Sequence, residues 1–331
     1  MDFTLDEAQE ELRSQSRAYL AAQSPLAEAA ALTETDPGWD AGGWSRIAAL
    51  GWLGVSVPER LGGAGLGFVE EAILLEEFGR ALYPGPYLAT LALALPALTE
   101  EQLAAVAAGA QRWSVELAPG VPVPNLHQVD LVVAERGGDL VALPAAGTAE
   151  PSVDPSRRVG RLAPGAGTAL LRGEGAERAR RSMRLRGRTA LALEGVGLAA
   201  AVLELGVEHA RTREQFGRPI GAYQAVSHKL ADTYAEVELA RSLAYWAAWC
   251  IAEDDPEAEV AAASARALAA ETAVAACERV IQVFGGMGFT WDSPLHRYYK
   301  RALWLERFAW SPARCRAEVA AQLLGRPSGG S

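Results

Sequence analysis

Residues 211–241 read RTREQFGRPIGAYQAVSHKLADTYAEVELAR, and residues 282–302 read QVFGGMGFTWDSPLHRYYKRA. In the first, Gly217 and Pro219 break a helical pattern that resumes from about Tyr223. Around the break stand Arg213 and Arg218, whose forked guanidinium groups suit phosphate. Phe216 offers a flat face that can stack on a base, and Gln215 can hydrogen-bond a nucleotide edge. The same residues equally suit a plain helix C-terminus whose dipole is offset by arginine. In the second, Gly285, Gly286 and Gly288 resemble a phosphate-binding loop, but a dinucleotide fingerprint follows a strand and opens a helix. These glycines close a helix instead. They read as a helix stop that also leaves bare backbone for a planar ligand beside Gln282.

Outward from these two segments the pattern is helical over 182–331, with long runs from Met183 to Arg213, about Tyr223 to Glu253, and Glu257 to Phe284. Helices of this length bury a bundle core and suit assembly with other chains. Upstream, 111–181 carries short β-type runs at Trp113 to Leu117, Val129 to Ala134 and Leu140 to Leu143. Gly160 to Gly175 reads as a loose stretch, and the region ends in a cluster of Arg178, Arg180, Arg181, Arg184, Arg186 and Arg188. That cluster is a solvated basic face or a set of partners for acidic residues elsewhere. Residues 1–110 are again helical: Thr4 is the expected N-cap with Glu7 in the capping-box position, and helices follow over about Ala41–Leu50, Phe68–Leu82, Tyr87–Leu98 and Glu100–Ala108. The fold class is therefore mainly α with a small β domain, in three parts.

Composition narrows the function. The 331 residues are 50% hydrophobic and 22% charged, which supports a large buried core and excludes a disordered chain. A net charge of −10 argues against nucleic acid or an anionic membrane as the main partner. Leu88 to Leu98 is too short to span a bilayer, which needs about 20 residues, and the acidic, amphipathic N-terminus is no signal peptide. The expected location is the cytoplasm. Cys250, Cys277 and Cys315 form no CxxC pair and imply neither a disulfide framework nor a metal site. No serine sits in a GxSxG elbow, and His127, His209, His228 and His296 lack the spacing of a triad or ligand set.

The order of helical, β and helical domains, with the two quoted segments at this separation, resembles the acyl-CoA dehydrogenase family. The resemblance implies FAD as cofactor, with Arg213, Gln215 and Phe216 facing the nucleotide end of a neighbouring chain's FAD and Gln282, Gly285 and Gly286 completing another such site. It also implies an acyl-CoA substrate and an electron-transfer flavoprotein or similar acceptor. In this family a glutamate removes the α-proton as hydride leaves the β-carbon. Aligned on the family pattern, the two usual positions of that base hold Ala309 and Gly187. Arg188 then matches an arginine beside the base and is the candidate substrate-binding residue. Glu194, two turns along the same helix, is the remaining candidate base, or a structural partner of nearby arginine. The family's Thr-Glu-Pro segment has only Glu116-Leu117-Ala118-Pro119 as its nearest equivalent, and the β domain is shortened.

The sequence resembles actinobacterial, steroid-type acyl-CoA dehydrogenases in the GFTW segment and in lacking a Tyr-Glu-Gly-Thr stretch, and the shorter of their two unlike subunits accounts for both departures. The resemblance thus implies a second, longer subunit in an α2β2 assembly that supplies the catalytic glutamate. Two alternatives remain at this level, a self-sufficient homo-oligomer using Glu194 and a non-catalytic scaffold with the same fold.

Overall fold

The computed structural model describes residues 4–36 and 38–325. The outer limits of the two terminal domains, 1–3 and 326–331, lie outside them. Five helices form the first layer: α1 (Glu7–Gln23), α2 (Leu26–Thr33), α3 (Ala41–Ala49), α4 (Phe68–Arg80) and α5 (Glu100–Ala107). A buried π-helical turn over Leu88–Ala94 and a 3-10 turn over Leu95–Ala97 precede α5. The N-cap of α1 is Asp6 rather than Thr4. Asp6 accepts from the Gln9 amide at 2.8 Å, and the Gln9 side chain accepts from the Asp6 amide, so a second box two residues on outcompetes the expected one.

The middle segment holds seven strands: β1 (Trp113–Val115), β2 (Val123–Pro124), β3 (Leu131–Arg136), β4 (Asp139–Pro144), β5 (Gly147–Glu150), β6 (Val159–Leu162) and β7 (Thr168–Leu171). They pair as a four-stranded sheet in the order β1-β3-β4-β7 and a three-stranded sheet in the order β2-β6-β5. The stretch expected to be loose from Gly160 therefore contributes β6 and β7. Alternation along β3 sorts the faces: Val132 and Ala134 enter a small core between the sheets with Val123, Leu126, Val141 and Leu162, while Val133 joins the main core.

The last part is an all-helical bundle of α6 (Gly173–Thr212), α7 (Gln224–Ala252), α8 (Ala258–Phe284), α9 (Leu295–Arg307) and α10 (Pro312–Leu323), with a short hairpin of β8 (Glu214–Gln215) and β9 (Arg218–Pro219) between α6 and α7. Helix α6 starts at Gly173, not near Met183, and runs unbroken for 40 residues through the expected domain boundary at 181/182. Its most apolar stretch is long enough to cross a membrane, yet 83% of it is buried in the fold, which makes it a core helix. Small residues let neighbours approach: a methyl at Gly79 of α4 would strike the Glu194 backbone, and one at Gly197 the Glu76 backbone. Both glycines hold α4 against α6 at backbone contact. The arginine cluster at the start of α6 is spent on acids. Arg184 meets Glu259 at 2.8 Å, Arg186 meets Glu71 at 2.6 Å and Arg188 meets Glu318 at 2.6 Å. Cys250, Cys277 and Cys315 are buried free thiols.

Candidate functional site

At one end of the bundle the two quoted segments come together. Between β8 and β9 the chain turns on Phe216 (φ +53°) and Gly217 (φ +79°), both left-handed, as a tight two-residue hairpin requires. This turn pushes the Phe216 ring into solvent, 94% exposed. The hairpin is braced by the Ile220 amide donating to the Arg213 carbonyl at 2.8 Å and the Tyr223 hydroxyl donating to the Gln215 carbonyl at 3.1 Å. Arg218 packs over the Tyr223 ring at 4.1 Å, whereas Arg213 and Gln215 project from the exposed surface. Helix α8 ends at the same level. His209, one turn before the end of α6, stacks on Phe284 with ring centroids 4.0 Å apart, and burial followed by the Arg213 charge lowers its pKa. Gly285 (φ +63°) reverses the chain, and a Cβ at Gly285 or Gly286 would meet nothing within 4 Å. Exposed Gln282 stands beside this bare backbone. The exposed hairpin and the bare glycine turn thus lie toward the same end of the bundle, linked through the His209–Phe284 stack.

The positions aligned with the family's base lie on the inner side of the bundle. Helix α9 ends in a turn with left-handed backbone at Ala309 (φ +48°) and Trp310 (φ +33°). Buried Arg266 enforces it by donating to the carbonyls of Phe308 at 3.0 Å and Ala309 at 3.2 Å as well as to that of Leu305. Its Nε and Nη1 find no partner, and burial lowers its pKa to about 10. The turn lays the Trp310 indole over Gly187: a Cβ there would sit 2.8 Å from the ring and 2.6 Å from Leu93. Arg188, the expected substrate contact, is 1% exposed, paired with Glu318 and covered by the Trp310 ring at 5.9 Å. It is a packed structural ion and not a surface for CoA. What is left beside Trp310 is a cleft of about 180 Å³ whose carboxylates, Glu116 and Glu135, pair with Arg136 and Arg180.

Glu194 has a different fate from the one a base requires. It is 2% exposed and is held by both Arg157 and Arg301, while Arg301 also binds Asp154 and the Ser156 hydroxyl, the latter at 2.6 Å. Two carboxylates and two guanidinium groups thus form a neutral, buried square that ties the β domain (Asp154, Arg157) to the bundle (Glu194, Arg301). Arg157 also lies over Trp304 at 5.5 Å. Burial and the neighbouring Arg301 charge lower the Arg157 pKa, whereas on Arg301 the effect of burial is outweighed by Asp154 and Glu194 and its pKa rises. Burial opposes the charge on Asp154 too, yet Arg301 and Ser156 prevail and hold its carboxyl below the usual range.

Sequence reasoning missed Trp310, Arg266 and the Asp154–Arg157–Arg301 partners of Glu194. RYYKRA places Arg301 on a helix, but nothing local says that it reaches Asp154, 147 residues away in sequence. Among the described residues no cluster of three or more His, Cys, Asp or Glu is arranged to hold a metal ion.

The chain matches the model of the acyl-CoA dehydrogenase N-terminal domain over residues 6–112 and that of the acyl-CoA dehydrogenase C-terminal domain over 173–324. It is 34% identical over 311 residues to acyl-CoA dehydrogenase IpdE2 of Mycobacterium tuberculosis, covering 90% of this chain and 92% of that one. A chain of a solved variant of the Tcur3481-Tcur3483 steroid ACAD superimposes with TM-score 0.88 at 28% identity, over 97% of this chain and 99% of the other. A chain of the ChsE4-ChsE5 complex from Mycobacterium tuberculosis has the same fold, with TM-score 0.85 at 24% identity over 99% and 100% of the two chains.

Proposed function

The chain belongs to the acyl-CoA dehydrogenase family, and from that premise we propose that it is the non-basic subunit of a heteromeric, FAD-dependent enzyme that desaturates an acyl-CoA between Cα and Cβ. The observation that carries this reading is the fate of the base positions: Ala309 and Gly187 hold no carboxylate, Trp310 fills the space above Gly187, and Glu194 is consumed by two arginines. A longer partner in an α2β2 assembly supplies the glutamate. Solved relatives described as a steroid ACAD and as a two-component complex support a bulky CoA thioester, a steroid side chain among them, and a partner of the same family. We place the complex in the cytoplasm, with an electron-transfer flavoprotein or similar acceptor, and take the three parts as its domains, the last beginning with helix α6 at Gly173 and not at 182.

The residues at the exposed end of the bundle fit the nucleotide end of FAD. Phe216 offers a solvent-exposed aromatic face, Arg213 a guanidinium for the diphosphate, Gln215 and Gln282 polar edges, and Gly285-Gly286 backbone that a ligand can approach without meeting a side chain. Bound there, FAD would supply the acceptor for the hydride of the substrate β-carbon. This chain's work is to hold and orient the cofactor through these residues, and its packed interior closes the acyl cleft that it cannot use.

Co-expression with a longer acyl-CoA dehydrogenase-like chain from the same source tests the reading. A complex with flavin and turnover that neither protein shows alone is the expected result. Full-rate oxidation of acyl-CoA by this chain alone would overturn it, and absence of flavin from every complex would favour the scaffold reading. The homo-oligomer using Glu194 is disfavoured by the ion square.

A further inference from the structure

The hairpin that carries Phe216 is poorly held by its own ladder. Every residue from 211 to 218 is exposed, so no apolar face anchors the two strands, and a lone two-stranded hairpin is marginal in water. Gln215 faces Arg218, and Glu214 faces Pro219, which has no amide to donate. The Arg213 amide is spent on the His209 carbonyl of α6 at 2.9 Å, which leaves the Ile220 amide to bond the Arg213 carbonyl. The turn adds strain, because Phe216 stands at φ +53°, where a bulky side chain is disfavoured.

One side chain outside the hairpin compensates. The Tyr223 hydroxyl donates to the carbonyl of Gln215, the residue before Phe216, and the Arg218 guanidinium lies over the Tyr223 ring at 4.1 Å. A single ring thus meets both strands, β8 through its hydroxyl and β9 through its face. The tyrosine is itself firmly mounted. Its carbonyl accepts from the Val226 and Ser227 amides at 2.9 and 3.0 Å as α7 begins, and its amide donates to the Ile220 carbonyl at 3.1 Å. Just before it, Gly221 packs on α6 so closely that a Cβ there would come 3.0 Å from the Ala210 carbonyl oxygen. The hairpin tip is therefore tied through Tyr223 to α7 and through Gly221 to α6.

We infer that Tyr223 is a positioning residue, which clamps Gln215 and Arg218 so that the hairpin is formed and Phe216 is presented before the cofactor arrives. This rests on the proposed use of the hairpin for the nucleotide end of FAD. Tyr223 acts on the fraction of chains whose hairpin is formed, and apparent affinity scales with that fraction. A phenylalanine there keeps the ring and its contact with Arg218 and loses only the bond to Gln215.

The test uses the flavin-containing assembly in which the chain purifies, stripped of flavin and recombined with FAD. Parent, Tyr223→Phe, Phe216→Ala and the double variant are compared by flavin fluorescence, which gives affinity and both rate constants. Tyr223→Phe should weaken FAD about two- to fivefold, the upper figure being the full worth of one neutral hydrogen bond. The loss should fall on the association rate, because dissociation starts from a formed hairpin in either protein. Phe216→Ala should weaken FAD about tenfold, and on that background the effect of Tyr223→Phe should shrink below about 1.5-fold, since the ring it positions is gone. In the flavin-free assembly, hydrogen exchange over residues 214–222 should quicken about twofold in Tyr223→Phe while Tm stays within about 1 °C. If that variant does not assemble, Arg218→Gln releases the other half of the clamp and should quicken the same exchange. Unchanged exchange, a loss carried by the dissociation rate, or full additivity with Phe216→Ala would each overturn the inference. Weaker FAD in Phe216→Ala alone would overturn it and spare the flavin reading of the hairpin, whereas FAD binding unchanged in both variants would overturn both.

Discussion

Glu194→Gln separates a structural carboxylate from a catalytic one. The substitution keeps the shape of the side chain and removes one negative charge from a buried group of two carboxylates and two guanidinium groups, all less than 6% exposed at their side chains. The square goes from neutral to a net charge of +1, with only Asp154 to offset Arg157 and Arg301. Breaking a buried pair in this way costs about 3–5 kcal/mol. Unfolding entropy near 2.1 cal/mol/K per residue gives about 0.7 kcal/mol/K for a chain of this length, so the expected fall in Tm is about 4–7 °C. Thermal denaturation of the purified complex measures it, and turnover per bound flavin, below the new transition, should match the parent within about twofold. Replacing Arg157 and Glu194 together by Met should recover most of the loss, because Arg301 and Asp154 remain as a balanced pair. An unchanged Tm together with turnover reduced by about a hundredfold or more, the size of a lost general base, would refute the structural assignment.

The remaining predictions concern the same junction and the exposed end of the bundle. Gly187→Ala should destabilise by about 1–3 kcal/mol in denaturant titration, because the added methyl strikes Trp310 and Leu93, and the cost should shrink to below about 1 kcal/mol in a Trp310→Ala background. Stability should decline modestly below about pH 6.5, where the unfolded chain protonates His209 and His296 and the folded chain resists it, and fall further below about pH 4: the Asp154 carboxyl has a folded pKa below its unfolded value of about 3.9, so its contribution is present above that value and is lost as pH drops through the folded pKa. Melts of Asp154→Asn should be lower at neutral pH and lose part of that acid slope. Phe216→Ala should leave Tm within about 1 °C, since the ring is 94% exposed, and weaken flavin retention in the complex by about tenfold, measured by dialysis against free flavin.

The three-part organisation was legible because its signals are long and periodic. Helices α7 and α8 end where Asp254-Asp255-Pro256 and Gly285-Gly286 say they should, and α3 and α4 lie within two residues of their expected limits. The misses share a cause, which is that the deciding contacts are not local. Strands β5 and β7 are largely exposed edge strands, so neither face imposes the alternation that periodicity detects. The first turn of α6 carries Gly173 and Gly175, which argue against a helix, and it forms because Ala176, Ala179 and Met183 reach the main core. In α2 the alanines carry almost no amphipathic signal, and packing alone fixes the helix. At the candidate site, Arg213, Phe216 and Gly285 stand out by type and by their place at helix breaks, and the fold leaves all three at the surface of one end of the bundle. Glu194 and Arg188 do not, because a carboxylate or guanidinium in sequence says nothing about which opposite charge the fold will bring to it.

On the proposed function, Gly187 and Trp310 show why a carboxylate is not a single substitution away at residue 187. A carboxylate restored at residue 187 would need the volume that the indole occupies, with Leu93 blocking the other side. Moving the indole would disturb the left-handed turn at Ala309 and Trp310, which Arg266 holds by its bonds to the carbonyls at the end of α9. It would also uncover the Arg188–Glu318 pair, which links α6 to α10. A glutamate at residue 309 would instead enter beside Arg266, whose unpaired Nε and Nη1 would compete for it and lower its pKa away from that of a base matched to neutral pH. Either route therefore produces a carboxylate that is sterically excluded or electrostatically captured. Under the proposed function, the carboxylate is therefore one that another chain supplies.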